Sequence, residues 1–246
     1  MPEIADIKCH VLDAPIAEPF WWSFNRSDAR ASCIIEIVAD DGTSGWGECF
    51  GPARLNAAII DAFKPYLLGQ DFRAGDLIWQ TLYNQFRDQG QKGLTITAIS
   101  GVDIALWDLR GRHFDAPVHI LMGGPLRREV RAYATGTYRH GDGDPLDYIC
   151  QEVAGYVREG FPAVKLKIGF GVEEDLALIE AVREAIGART GLMLDANHGF
   201  DCLEAIELGR RAAKYDIGWF EEPVVPDELQ SYEEVKARQP IPVAGG

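Results

Sequence analysis

Lys165 and Lys167 stand one residue apart in Ala163-Val164-Lys165-Leu166-Lys167-Ile168-Gly169. The neighbours are strand formers, and on a strand residues i and i+2 share one face with their Cα atoms about 6–7 Å apart. Two ammonium groups aimed at one spot repel, and each disfavours the charged form of the other. That is one route to a lysine that acts as a base: lowering its pKa from about 10.4 to 7 or 8 takes about 4 kcal/mol. Downstream stand Leu194-Asp195-Ala196-Asn197 and Trp219-Phe220-Glu221-Glu222-Pro223. Asp195 and Glu221 are hard oxygen donors without His or Cys partners at zinc spacing, which makes Mg²⁺ the candidate ion. Either acid alone could instead cap a following helix. With the lysines they outline the abstraction of a proton α to a carboxylate: Lys167 as base, Lys165 lowering its pKa, the metal and the other lysine holding the enediolate charge. Attack of either lysine on a carbonyl to form a Schiff base is a second chemistry open to the same residues.

Further residues surround this outline. Asn197, two positions beyond Asp195, can donate to substrate oxygen or serve as a turn or cap residue. His198 reads as a solvated loop histidine, and Glu222 as a supporting carboxylate that alternation turns away from Glu221. The segment Pro19-Phe20-Trp21-Trp22-Ser23-Phe24-Asn25-Arg26 is too aromatic for an ordinary exposed loop and reads as a lid. Trp22, Phe24 and Arg26 are therefore candidate substrate contacts, Arg26 for a distal anion, with Phe50 of Trp46-Gly47-Glu48-Cys49-Phe50 as a second wall.

The elements that must position these groups fall into two series. Ile4–Leu12, Ala31–Ala39 and Ser44–Glu48 read as strands, the last two joined by an Asp-Gly turn. Asn56–Leu68, Asp76–Phe86 and Thr95–Arg110 carry the three-to-four spacing of amphipathic helices. Residues 1–125 thus form an α+β domain with an antiparallel sheet followed by helices. After Gly123-Gly124-Pro125 strands and helices alternate. The strands are Val130–Thr135, Ala163–Ile168, Gly191–Asp195, Gly218–Phe220 and Ile241–Ala244. The helices are Pro145–Glu159, Val172–Ile186, Cys202–Tyr215 and Pro226–Arg238. Such alternation implies a parallel sheet, here the opening part of a (β/α) barrel over residues 126–246, with functional groups at the carboxyl ends of its strands. No GxGxxG or Walker sequence follows a strand, which counts against a doubly wound nucleotide-binding sheet.

The 246 residues carry a formal charge of -14 and an isoelectric point near 4.8, which argue against nucleic-acid binding; an anionic substrate, such as a small carboxylate, then needs a local basic pocket, for which the two lysines are the candidates. Five cysteines without regular spacing read as free thiols of a cytoplasmic protein. No stretch resembles a signal peptide or a membrane span.

Taken in order, Lys165-Leu166-Lys167, Asp195-Ala196-Asn197 and Phe220-Glu221-Glu222-Pro223, with Gly45-Trp46-Gly47-Glu48 and Asp103-Ile104-Ala105-Leu106-Trp107-Asp108 upstream, resemble the enolase superfamily, in its mandelate racemase and muconate lactonizing enzyme group. Sites of that superfamily set a Lys or His base beside Mg²⁺, which is the logic outlined above. The resemblance implies a capping domain over a barrel, Lys167 as base with Lys165 as its partner, Asp195 and Glu221 as metal ligands, and Asn197 as a polar contact near the metal. It also implies a homo-oligomer, and racemisation or acid-sugar dehydration, with cycloisomerisation or dipeptide epimerisation as alternatives. The family places a third metal-binding acid after a segment like Pro242-Val243-Ala244-Gly245-Gly246, and an opposing acid/base on later strands. The expectation is therefore a piece of a longer enzyme, one that binds Mg²⁺ weakly and turns over little by itself.

Overall fold

The computed structural model describes residues 2–141 and 143–245, so Gly246 of the last motif lies outside the described residues. The chain divides into two compact units, Met1–Pro15 with Ala29–Arg128, and Ile16–Asp28 with Glu129–Gly246.

Strands β1 (Ile4–Trp22) and β2 (Asn25–Ala39), whose shared hairpin end from Ile16 to Asp28 belongs to the second unit, are neighbours in one sheet, and β3 (Ser44–Cys49) follows antiparallel to β2. Alternation decides which side chains are buried. Cys33, Ile35, Ile37 and Ala39 turn to one face and are buried, opposite Cys49, Gly47 and Gly45 of β3. Three helices, α1 (Ala53–Leu67), α2 (Gly75–Phe86) and α3 (Leu94–His113), cover that face, and a short α4 (Val118–Leu121) follows. The core joins Ile35 and Ile37 to Ile60, Phe63, Leu82, Ile99 and Leu106. Helix α3 approaches β3 so closely that a Cβ on Gly47 would sit 2.2 Å from the Gly101 carbonyl oxygen. Small residues at this crossing are a geometric necessity. All five cysteines are free, and burial pushes the Cys9 and Cys49 thiols up to about 12.

In the second unit the elements run β4 (Ala134–Thr135), β5 (Arg139–His140), α5 (Pro145–Arg158), β6 (Ala163–Lys167), α6 (Val172–Ile186), β7 (Gly191–Asp195), α7 (Cys202–Ala212), β8 (Ile217–Glu221), α8 (Leu229–Arg238) and β9 (Val243–Ala244). Strands β4, β6, β7, β8 and β9 form a parallel sheet in that order, so consecutive strands are neighbours, as barrel strands are. The helix starts follow local chemistry. Asp144 caps α5 by accepting from the Leu146 amide, with Pro145 in the first turn. Asp201 and Glu204 form a reciprocal capping box on α7.

Several elements differ from the sequence reading, and the last strand, expected over Ile241–Ala244, is only Val243–Ala244. The strand expected over Val130–Thr135 is only Ala134–Thr135, because Val130 stays 80% exposed and has no core to face. Helix α8 begins at Leu229, after the turn that Pro226 and Asp227 favour. The aromatic segment expected as a loop is the end of a hairpin: β1 continues to Trp22, β2 starts at Asn25, and Ser23-Phe24 is the turn. Cross-strand pairing supplies there the backbone partners that hydrophobic alternation does not advertise, and Phe20 and Trp21 pair antiparallel with His140 and Arg139 of β5.

Candidate active site

The register of the parallel sheet builds the site. Lys167 lies opposite Asp195, Asp195 opposite Glu221, and Glu221 opposite Ala244, so one row of strand ends carries a lysine, two acids and the final strand. On β6, Val164 and Leu166 face the core at 0% exposure, and alternation sends Lys165 and Lys167 to the other face, each 8% exposed. Lys167 Nζ lies 2.6 Å from Asp195 Oδ2. Lys165 Nζ lies 3.1 Å from the same oxygen and 2.7 Å from Glu221 Oε1. Trp219 Nε1 donates to the other Glu221 oxygen at 2.9 Å. The two lysines therefore share a carboxylate, which offsets the mutual repulsion that their spacing alone suggests.

The electrostatics follow. Burial pulls the Lys165 ammonium down, but Glu221 and Asp195 outweigh it and hold the group above its ordinary value. Burial pushes the Asp195 carboxyl up, and here too the pairing wins: Lys167 and Lys165 keep it below the usual carboxylate range.

Asn197 joins the parts. It adopts a left-handed backbone with φ 43°, a conformation Asn tolerates better than most residues. Its Oδ1 accepts from Lys167 Nζ at 2.7 Å, its Nδ2 donates to Glu222 Oε2 at 3.1 Å, and its backbone N–H donates to Asp195 Oδ1 at 3.0 Å. Glu222, also left-handed at φ 45°, breaks the alternation that would turn it away and meets both Asn197 and His198, the latter at 3.4 Å. His198 is held rather than solvated, with its ring Nδ1 3.0 Å from the Val224 carbonyl.

Beneath Lys167, buried Thr137 accepts the Lys167 backbone N–H on its Oγ1 at 2.9 Å, and its own N–H donates to Glu152 of α5 at 3.1 Å. Tyr133 and Tyr138 stand over the ammonium groups, 5.9 Å from Lys165 Nζ and 5.5 Å from Lys167 Nζ. Sequence reasoning missed Thr137 and Tyr138. They lie just past the first barrel strand, where functional groups gather, yet nothing in their spacing distinguishes them from other loop residues.

Of the candidate substrate contacts, Trp22 stacks edge-on to Tyr138 at 6.2 Å, and Phe24 lies 6.2 Å from the His198 ring. Both belong with the lysine-bearing unit. Arg26 is exposed on the same hairpin end, its N–H held by Asn25. Phe50 belongs to the first unit, where its ring is 85% exposed and its carbonyl accepts from Asn56 Nδ2.

The donor set fits a hard divalent cation in part. Asp195 and Glu221 already hold one positive group, the Lys165 ammonium, between their oxygens, so the pair is built to hold a cation. Among the described residues no cluster of three or more His, Cys, Asp or Glu has metal-holding geometry, and these two acids fit as part of an octahedral set completed by other oxygens.

Residues 6–123 match the family model described as "Mandelate racemase / muconate lactonizing enzyme, N-terminal domain", and residues 149–246 match "Enolase C-terminal domain-like". The chain belongs to the enolase superfamily. Within it the chain is 54% identical to D-galactarolactone cycloisomerase of Agrobacterium fabrum over 99% of its own length and 65% of that protein's. The crystal structure of the 3,6-anhydro-D-galactonate cycloisomerase from Zobellia galactanivorans superposes with a TM-score of 0.90 at 39% identity, covering 99% of this chain and 65% of that one. A mutant L-talarate/galactarate dehydratase liganded with Mg and L-glucarate superposes with a TM-score of 0.89 at 29% identity, covering 100% of this chain and 64% of that one. The chain thus spans slightly less than two thirds of each of these three relatives. In enolase-superfamily terms the first unit is the α+β cap and the second an incomplete (β/α) barrel. No described helix is long and apolar enough to cross a membrane.

Proposed function

We propose that this chain carries the lysine face of an active site that removes the proton α to the carboxylate of an acid sugar. The observation that carries the reading is the convergence of Lys167 and Lys165 on Asp195 and Glu221, at 2.6 to 3.1 Å, on one buried row of strand ends. In this reading Lys167 takes the α-proton. Lys165 keeps its ammonium, in accord with its raised pKa, and faces the negative charge that develops on the substrate. Asp195 and Glu221 would hold Mg²⁺, which would supply positive charge beside the substrate carboxylate. Asn197 orients Lys167, and Trp22, Phe24 and Arg26 of the same unit contact the rest of the substrate.

Among acid-sugar reactions, cycloisomerisation of an aldarolactone gains weight over the dehydration and racemisation first expected, because the 54% identical relative is named for that reaction. A Schiff-base role for Lys165 is disfavoured, since a lysine held protonated between two carboxylates is a poor nucleophile. The five free thiols accord with a cytoplasmic site of action, and the family resemblance with a homo-oligomer.

The test is α-proton exchange of D-galactarolactone in D₂O, followed by NMR with the full chain and Mg²⁺. Exchange that stops on adding EDTA, and in Lys167→Ala, is the expected result. Exchange that persists in Lys167→Ala sinks the assignment of the base.

A further inference from the structure

Ser23, at the turn of the aromatic hairpin, sits against the strand-end loops of its own unit in a seat made of two glycines. A Cβ on Gly169 would stand 2.7 Å from Ser23 Cβ, and one on Gly199 would stand 2.8 Å from it. Gly169 follows Lys167 at the end of β6, and Gly199 follows the left-handed pair Asn197 and His198, whose φ values are 43° and 65°. In that seat the Ser23 hydroxyl donates to the Asn197 carbonyl at 3.0 Å. Asn197 then has all four polar groups engaged: its carbonyl by Ser23, its amide N–H by Asp195, its Nδ2 by Glu222 and its Oδ1 by Lys167. The hairpin turn and the base are two bonds of one residue.

We infer that Ser23 is a positioning residue that couples seating of the hairpin turn to the orientation of Lys167 through Asn197. The inference rests on Lys167 being the base. A peptide with two consecutive left-handed non-glycine residues is strained and needs outside contacts to hold it. The Ser23 hydroxyl supplies one, at the Asn197 carbonyl. When the turn lifts, Asn197 loses that contact, and the oxygen that holds the Lys167 ammonium is free to move. A misplacement of about 1 Å at a reacting group is enough to cost as much as about 10²-fold in rate. The turn therefore has a role distinct from that of its aromatic neighbours: those shape a wall, and Ser23 sets the base.

The experiment compares Ser23→Ala, Ser23→Thr and Gly199→Ala with the wild-type full chain, taking kcat and KM from α-proton exchange of D-galactarolactone at saturating Mg²⁺, a readout that needs the lysine face alone. Ser23→Ala removes the hydroxyl and keeps the seat; Gly199→Ala fills the seat and keeps the hydroxyl. The expected result is a fall in kcat of about 10- to 100-fold in both, with KM changed less than about threefold and a larger primary isotope effect on the α-proton. Ser23→Thr, which retains the donor, recovers at least part of kcat. A change in KM alone, or wild-type kcat in Ser23→Ala, overturns the inference. Failure of the underlying reading is separate, because it shows as the absence of α-proton exchange in the wild type.

Discussion

Thr137 Oγ1 accepts the backbone N–H of Lys167 at 2.9 Å, joining residues 30 apart in sequence at a point where both are buried. Thr137 does so from a left-handed backbone of φ 58°, unfavourable for a β-branched residue and held by the hydrogen bond that its N–H donates to Glu152 Oε1. Thr137→Val keeps the shape and removes the acceptor, leaving the Lys167 amide unpaired. The expected loss is about 1–3 kcal/mol, or a fall of about 3–10 °C in Tm, with Thr137→Ser close to wild type. Thermal melts of the two variants decide it; equal melting temperatures would remove the bond from the account.

Removing a carboxylate separates stability from metal affinity. Asp195 is almost fully buried and faces two ammonium groups, whereas the Glu221 side chain is 24% exposed and faces one. Asp195→Asn is therefore expected to destabilise the metal-free chain by about 3–5 kcal/mol, and Glu221→Gln by less. Both are expected to weaken Mg²⁺ binding in calorimetric titrations by at least about tenfold. Unchanged Mg²⁺ affinity in both variants would place the ion elsewhere.

Asp175 predicts a pH dependence. Its carboxylate is fully buried at the start of α6, and Oδ2 accepts from the amides of Gly169, Phe170 and Gly171. Burial pushes the group up to about 6, although those amides and the charge of Arg139 act the other way. Between about pH 4 and 6 the folded chain thus keeps a proton that the unfolded chain, at about 3.9, has lost. This group's contribution to stability is complete below about pH 4 and declines as pH rises to about 6, by about 3 kcal/mol for two units. Asp175→Asn keeps the acceptor without the charge, so denaturant melts across that range should lose this component. A wild-type slope in the variant would contradict the assignment.

The crossing of α3 over β3 has no room for a side chain. Gly47→Ala would bring a Cβ within 2.2 Å of the Gly101 carbonyl oxygen and 2.7 Å of the Ala105 amide nitrogen, both backbone atoms that cannot move independently. The expected cost is about 1–3 kcal/mol or more, from separation of helix and sheet. Gly42→Ala, with nothing within 4 Å but φ +86°, tests backbone strain alone and is expected to cost less. If Gly42→Ala proves the more destabilising, strain rather than contact governs these glycines.

Much of this protein is decided locally and could be read in the chain. Gly191–Asp195 and Val172–Ile186 are where strand and helix spacing put them, because their apolar periodicity agrees with the core they meet. Lys165 and Lys167 share a face for the same local reason, a strand's period of two. Local rules also fix the caps at Asp144 and Asp201. What the sequence could not decide is what those lysines face. Taken alone they predict mutual repulsion; in the fold the register of three parallel strands sets Asp195 and Glu221 against them, and long-range attraction outweighs the local effect. The same holds for Glu222, turned inward by one left-handed φ, and for Ser23 and Thr137, whose hydroxyls matter only because distant backbone reaches them. Periodicity acts between residues two to four apart and is written in order along the chain, whereas these bonds join residues far apart in sequence, up to 174 positions for Ser23 and Asn197, and exist only once the strands have paired.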